Sequence, residues 1–164
     1  MNTELPHPNQ PGAEQSLDQR FSHRPQVRRR LLSLADMIDH AVAEGCTAHE
    51  AEVRAIEQIR QLGNAVLSDW AEKSEHDAVV KAQQNNPQLQ PYRKRRLLTW
   101  HSTYVDIRLE EQRLRQVRRG AQVRPFCQRA KIRQKAYSLP LQRALTDFGA
   151  DESFVSATRK LREH

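Results

Sequence analysis

The first half of the chain carries apolar positions at helical spacing. Beginning near Pro25, five apolar residues follow one another at intervals of four, three, four and three, which predicts one stripe along an amphipathic helix. A proline suits the first turn, because its missing N–H would have no intrahelical acceptor there. Gly45 predicts the end of the helix, since glycine adopts the left-handed conformation of a C′ position without steric cost. The stripe consists of Val27, Leu31, Leu34, Ile38 and Ala41.

A second helix is predicted directly after Gly45. Thr47 and Glu50 have the spacing of a capping box, and Glu50 and Arg54 are placed for an i,i+4 ion pair. A second stripe then recurs at intervals of three and four, and we expect it to face the first stripe across an antiparallel helical hairpin over residues 25–83. The second stripe consists of Ile56, Ile59, Gly63, Val66 and Trp70.

A two-helix hairpin of this size buries little apolar surface on its own. The two stripes therefore predict either packing against a second copy of the chain or packing on its second half, and the residues leave both arrangements open. The candidate oligomerisation residues are Leu31, Leu34, Ile38, Ile56, Ile59, Val66 and Trp70.

Residues 97–126 show two conflicting patterns. Val105, Ile107 and Leu109 alternate with charged residues, which is the two-residue period of a half-buried strand. From Glu110 onward, however, the segment EEQRLRQVRR consists of good helix formers. Strand, helix and a basic tail that folds only on a partner are all compatible with these residues.

The segment LLTWHSTYVDIRLEEQRLRQVRRGAQVRPF, followed by YSLPLQRALTDFGADESFVSATRKLREH, resembles the N-terminal part of bacterial insertion-sequence transposases of the DDE class, in the Kra-type group. In that family a basic β-meander precedes helices that lead into a helix-turn-helix, with an RNase H-like catalytic domain further on. The resemblance implies strands over residues 98–102, 105–115 and 122–124, with a turn at Thr103-Tyr104-Val105. Val105 stands where the family has glycine, and a β-branched residue resists positive φ.

The remaining segments complete the predicted organisation. Residues 1–24 are rich in Pro, Gln, Asn and Ser and predict a disordered arm, and residues 84–96 predict a basic linker without a buried element. Residues 127–164 predict a basic segment with little to bury, either a loop or a helix formed on contact with DNA. Two short helices are predicted after it, the first from Ser138 to a stop at Gly149 and the second capped by Asp151. The resemblance makes that second helix the start of a helix-turn-helix. The predicted fold is mainly α with a small antiparallel β-meander, an α+β class.

Positive charge is concentrated in the second half. Residues 91–164 hold 18 lysines and arginines against 7 acids, a net charge of +11, which favours a polyanion as partner. Trp100 and Tyr104 are candidates either for stacking on bases or for the core. The candidate nucleic-acid contacts are Arg93, Lys94, Arg95, Arg96, Arg108, Arg113, Arg115, Arg118, Arg119, Arg124, Arg129, Lys131, Arg133 and Lys135.

Catalytic signals are weak throughout the chain. The acids of the second half have structural explanations as strand-exterior or capping groups, whereas two-metal phosphoryl chemistry needs clustered carboxylates. His101, Ser102 and Asp106 are close in sequence, but we expect alternation along a single strand to keep them apart. We therefore expect no enzyme activity, no metal and no cofactor, as in a transposase that lacks its catalytic domain.

Location and partners follow from these patterns. The two cysteines, Cys46 and Cys127, lie in no metal-binding or redox motif. The first residues contain three prolines and no apolar run, which predicts a cytoplasmic protein without a signal peptide or membrane segment, at the nucleoid if bound to DNA. The leading hypothesis is phosphate-dominated DNA binding with low sequence selectivity, with a homodimer as a further possibility. An alternative is a module that pairs with a full-length transposase and modulates it, and RNA binding is also open.

Overall fold

The computed structural model describes residues 19, 21–116 and 120–151 of the chain. It is mainly helical with two small antiparallel sheets, which confirms the predicted α+β class. The predicted arm lies largely outside the described residues. The elements are α1 (Pro25–Ala43), α2 (Ala48–Asn85), β1 (Leu89–Pro91), β2 (Arg96–His101), β3 (Asp106–Glu111), β4 (Leu114–Gln116), β5 (Gln122–Val123), α3 (Pro125–Ala130) and α4 (Leu139–Asp151).

The turn between α1 and α2 is built as the sequence predicts. Gly45 has a φ of +65°, and the backbone N–H of Glu50 donates to the Thr47 hydroxyl while the Glu50 carboxylate accepts from the Thr47 N–H at 2.8 Å. The predicted ion pair between Glu50 and Arg54 is wrong. The Glu50 carboxylate is occupied by Thr47, and Arg54 instead contacts Glu44 at 2.7 Å across the turn.

The prediction that the α2 stripe faces the α1 stripe is also wrong. Ile56, Ile59, Val66 and Trp70 remain 41–52% exposed, so α1 does not cover them. The strand hairpin and α3 reach this stripe only at Gly63, under Tyr104, and at Trp70, beside Phe126, so its larger side chains stay about half exposed.

The hydrophobic core lies between α2 and the β2–β3 hairpin. In that hairpin Leu98 pairs with Leu109 and Trp100 with Ile107, and all four side chains are buried against α2. The turn at residues 102–105 is held by Ser102, whose hydroxyl donates to the Val105 carbonyl at 2.6 Å and accepts from the N–H groups of Tyr104 and Val105. Among the described residues only Lys131 and Lys135 are non-glycines with positive φ, so Val105 fits the turn without strain.

Two strand predictions need correction. The predicted linker contains β1, which pairs with β4 and buries Leu89. The predicted strand 105–115 is broken after Glu111, because the N–H of Gln112 turns away to donate to Glu75 of α2 at 2.6 Å. The chain therefore leaves the β2–β3 hairpin and enters a second sheet, ordered β1-β4-β5.

The segment after β5 also buries more than the sequence predicts. Phe126 of α3 is completely buried, and Cys127, Ala130 and Ile132 pack against the same core. Further on, Ser138 caps α4 as predicted, accepting from the N–H of Leu141 at 3.3 Å. The predicted stop at Gly149 is wrong, because α4 continues to Asp151. The predicted second C-terminal helix, residues 152–164, lies outside the described residues.

Candidate nucleic-acid interface

Four of the predicted nucleic-acid contacts have partners inside the protein. The most deeply engaged is Arg124, whose Nε donates to the Glu111 carboxylate at 2.7 Å. Glu111 has no exposed surface, and its other oxygen accepts the backbone N–H of Cys127 at 3.1 Å. Arg124 therefore neutralises a buried acid and fastens α3 to β3.

Two further cations are paired with acids of α2. Arg95 donates to both oxygens of Glu75 at 3.1 and 3.2 Å, and Glu75 is 4% exposed. Arg129 of α3 hydrogen-bonds Asp77, and that bond is the main reason why the pKa of Asp77 lies below its ordinary value. These pairs dock the strands and α3 onto α2.

Arg113 is held by neutral partners in the second sheet. Its guanidinium lies 4.7 Å from the centre of the Tyr92 ring, and its NH1 donates to the Gln122 side chain at 2.8 Å. Its NH2 donates to the Lys94 carbonyl at 3.2 Å. Arg113 keeps its positive charge uncompensated, but its position is fixed by these contacts.

The other described candidates are exposed. None of them lies within 4.0 Å of an acid in the part of the chain that the structure describes. Arg118 and Arg119 lie outside the described residues. The exposed cations are Arg93, Lys94, Arg96, Arg108, Arg115, Lys131, Arg133 and Lys135.

We name Arg93, Lys94, Arg96 and Arg115 the junction cations, because they surround the junction of the two sheets. The Tyr92 N–H donates to the Arg113 carbonyl at 2.8 Å, which holds the loop containing Arg93 and Lys94 beside β4. Two acids near this junction, Glu75 and Glu111, are buried and paired, and the exposed Glu110, register partner of Leu97, lies more than 4.0 Å from the junction cations.

The junction cations lie next to an exposed polar row on the second sheet. Arg115 in β4 is paired in register with Gln90 of β1 on one side and Gln122 of β5 on the other, and all three are exposed. Amide and guanidinium groups donate hydrogen bonds to phosphates and to base edges. Gln90 and Gln122 carry no signal in the sequence, since only strand register brings them beside Arg115.

The remaining exposed cations, Arg108, Lys131, Arg133 and Lys135, we name the hairpin-edge cations. Residues 134–138 run along β2, with the Lys135 N–H donating to the Thr99 carbonyl at 2.7 Å, while Arg108 is the register partner of Thr99 on the other side. The two cations thus flank Thr99. On its own strand Arg108 alternates with the exposed acids Asp106 and Glu110, which reduces the positive potential there.

The two aromatic candidates have structural positions. Trp100 is 5% exposed and its ring centre lies 6.3 Å from that of Phe126, which bears out the alternative of a core residue and leaves no face for a base. Tyr104 is 40% exposed and lies over Gly63 of α2. Its ring therefore anchors the hairpin tip to the helix.

The expectation that His101 and Asp106 stay apart is wrong. They lie on opposite strands as register partners, and His101 Nδ1 is 2.6 Å from an Asp106 oxygen. The Ser102 hydroxyl, however, donates to the Val105 carbonyl rather than to His101. In the described part of the chain, no group of three or more histidine, cysteine or acidic residues could hold a metal ion.

One signal in the sequence could have revealed the paired cations. Ala71, Glu75 and Ala78 follow at helical spacing on one side of α2, so an acid lies within a row of small buried residues. A buried acid requires a cation or hydrogen-bond donors, and the arginine-rich second half supplies them.

Comparison of the chain with protein-family models, with curated proteins and with solved structures finds no match. Among the described residues, no helix is both long enough and apolar enough to cross a membrane.

Proposed function

We propose that this chain binds DNA through its junction cations, with the hairpin-edge cations as a second contact. The observation that carries the proposal is the separation of the described candidate cations, apart from Arg113, into two sets. One set neutralises Glu75, Asp77 and Glu111, and the other is exposed without an acidic partner among the described residues. Exposed cations without partners repel one another unless an anion compensates them.

The chemistry of these side chains favours phosphate as the group contacted. Arginine presents several donors in a planar fork that matches a phosphate, and lysine contributes a point charge. Contacts to phosphate carry little sequence information. The proposed binding is therefore strong at low salt and weakly selective among sequences, with no catalytic step.

The choice of DNA over RNA rests on the resemblance to insertion-sequence transposases, since the cations themselves attract either polyanion. We propose a regular DNA duplex as the natural ligand. An RNA duplex of equal length, titrated in parallel, should bind no more tightly than the DNA. Preferential binding to the RNA would overturn the choice of DNA.

The proposal is tested by fluorescence anisotropy of a labelled DNA duplex with the full chain over a series of salt concentrations. The logarithm of the binding constant should fall linearly with the logarithm of salt concentration, by about 0.9 per phosphate contacted. A variant with all four junction cations changed to glutamine should lose roughly three to four units of that slope. An affinity for DNA that is independent of ionic strength would contradict the proposal.

A matched control removes the same amount of charge from the helical hairpin. Because net charge falls equally in both variants, a difference between them reports position rather than overall electrostatics. We expect the control to change the slope by less than about one unit. Equal effects of the two variants would show that the junction is not the binding surface. The control changes are Arg29→Gln, Arg54→Gln, Arg60→Gln and Lys81→Gln.

A further inference from the structure

The helical hairpin leaves an apolar face about half exposed. On α2, Ile56, Ile59, Val66 and Trp70 are 41%, 52%, 46% and 45% exposed, and between Ile56 and Trp70 their stripe includes Gly63 and no charged residue. The stripe keeps the alternating three- and four-residue spacing of helices that pack against other helices. Tyr104 lies over Gly63 and the Trp70 ring contacts Phe126 on one edge, while each of the four apolar side chains keeps about half of its surface exposed.

Helix α1 contributes a second stripe to the same face. Ile38 and Val42 are 58% and 77% exposed. Half-buried Leu31 lies about two turns before Ile38 and three turns before Val42, on the same side of α1.

The least exposed row of the α1–α2 pair runs through Val27, Leu34 and Ala41 on α1 and through Ala55, Leu62 and Ala65 on α2. At 100° per residue, each apolar stripe is offset from the row on its own helix in the same rotational sense, by roughly 60–90°. Because α1 and α2 are antiparallel, equal offsets bring both stripes to one side of the hairpin. We name the set the apolar face: Leu31, Ile38, Val42, Ile56, Ile59, Val66 and Trp70.

We propose that the apolar face is the contact between two copies of this chain, arranged about a two-fold axis as a four-helix bundle. The six most exposed side chains of the face retain about half of their surface, on the order of 600 Å² in total. Two such faces together bury roughly 1,200 Å², which reaches the lower limit for specific protein interfaces. A two-fold contact needs one self-complementary surface, and a heptad-spaced apolar stripe on each of two antiparallel helices meets that requirement.

The position of the face separates this contact from the proposed DNA contact. The junction cations and the β1-β4-β5 sheet lie beyond the second half of α2, whereas the apolar face involves α1 and residues 56–70 of α2. Self-association therefore leaves the junction cations exposed in both copies. It also responds oppositely to salt, because burial of apolar surface is not weakened by screening.

Sedimentation equilibrium of the full chain without DNA tests the proposal. We expect a mass that rises with concentration from the 19.1 kDa of the monomer toward twice that value, with a dissociation constant on the order of 10 µM. Changing Ile59 and Val66 to glutamate should weaken association roughly 100-fold, because each copy would bury two charges. The mass of the unmodified chain should not fall when salt is raised.

Two exposed apolar residues outside the face supply a matched control. Leu32 and Val53 are 53% and 52% exposed, close to the value for Ile59, and they lie away from the two stripes. Leu32→Glu and Val53→Glu should leave the dissociation constant unchanged within about twofold. A monomer at every concentration would overturn the proposal, and so would equal weakening by the control or a dimer that survives Ile59→Glu/Val66→Glu.

A second measurement needs no substitution. Trp70 lies on the apolar face, whereas Trp100 is buried in the core. Dimer formation should therefore lower the quenching of tryptophan fluorescence by acrylamide as protein concentration rises. Quenching that is independent of concentration across the range in which the mass doubles would place the contact elsewhere.

Discussion

Glu111 and Arg124 form the ion pair whose loss should have the largest effect on stability. Glu111 is fully buried, and its two oxygens accept from Arg124 Nε at 2.7 Å and from the Cys127 N–H at 3.1 Å. Arg124→Met would leave a buried carboxylate with only the N–H and the thiol of Cys127 as donors, which should cost about 3–5 kcal/mol. Glu111→Met should cost somewhat less, about 2–4 kcal/mol, because Arg124 is 26% exposed and water can still reach it.

The double variant distinguishes a charge effect from general disruption. With both residues changed to methionine no charge is left buried, and only the N–H and the thiol of Cys127 lose their acceptor, at a cost of about 1–2 kcal/mol. The double variant should therefore be more stable than Arg124→Met alone, with a coupling energy of about 2 kcal/mol or more.

Urea unfolding followed by tryptophan fluorescence measures these changes. The rings of Trp70 and Trp100 lie 5.9 and 6.3 Å from Phe126, the neighbour of Cys127, so both tryptophans report on this region. Additive losses in the double variant, or a loss below about 1 kcal/mol for Arg124→Met, would refute the assignment of Arg124 to a structural pair.

Three further predictions concern individual contacts. A Cβ on Gly63 would lie 2.4 Å from the Tyr104 ring, so Gly63→Ala should destabilise the chain. In a Tyr104→Ala background the same change should stabilise the chain by up to about 1 kcal/mol, because alanine has the higher helix propensity. Urea unfolding that shows the same sign of change in both backgrounds would refute this prediction. Burial and the hydrogen bond with the Glu111 carboxylate raise the pKa of the Cys127 thiol to about 12. At mildly alkaline pH, iodoacetamide should therefore modify Cys46 before Cys127, which mass spectrometry of peptides measures. Modification of both cysteines at the same rate would contradict this prediction. Ser102→Ala removes three hydrogen bonds from the β2–β3 turn and should lower the free energy of unfolding by about 1–2 kcal/mol, seen as a lower midpoint of thermal unfolding. An unchanged midpoint would show that the turn does not depend on the Ser102 hydroxyl.

The sequence predicted the local elements whose signals are themselves local. The capping box at Thr47, the glycine at position 45 and the buried positions Ile107 and Leu109 depend on neighbours within a few residues and were found where predicted. Val105, the first position of the predicted alternation, lies before β3 and is 49% exposed. Periodicity also identified the apolar stripes correctly. It could not say what covers them, because the stripe on α2 would look the same facing α1, the strands or solvent.

The features that the sequence did not predict depend on contacts between distant residues. The break after Glu111 results from Glu75, a residue 37 positions away that accepts the Gln112 N–H. Strand β1 forms in a segment rich in prolines and amides, because β4 supplies its partner. The acids of α2 and β3 likewise determine which arginines are paired and which are exposed. A count of charges does not distinguish the paired arginines from the exposed ones.

Helix α2 is one uninterrupted element of 38 residues that belongs to both halves of the molecule. Its first part packs with α1, and its second part supplies Ala71, Glu75 and Ala78 to the core of the strands. Fragments divided near residue 84 would therefore separate the strands from one wall of their own interior, and neither piece should fold alone. Deletion studies that seek the separate roles of the two halves should use point substitutions on an intact chain.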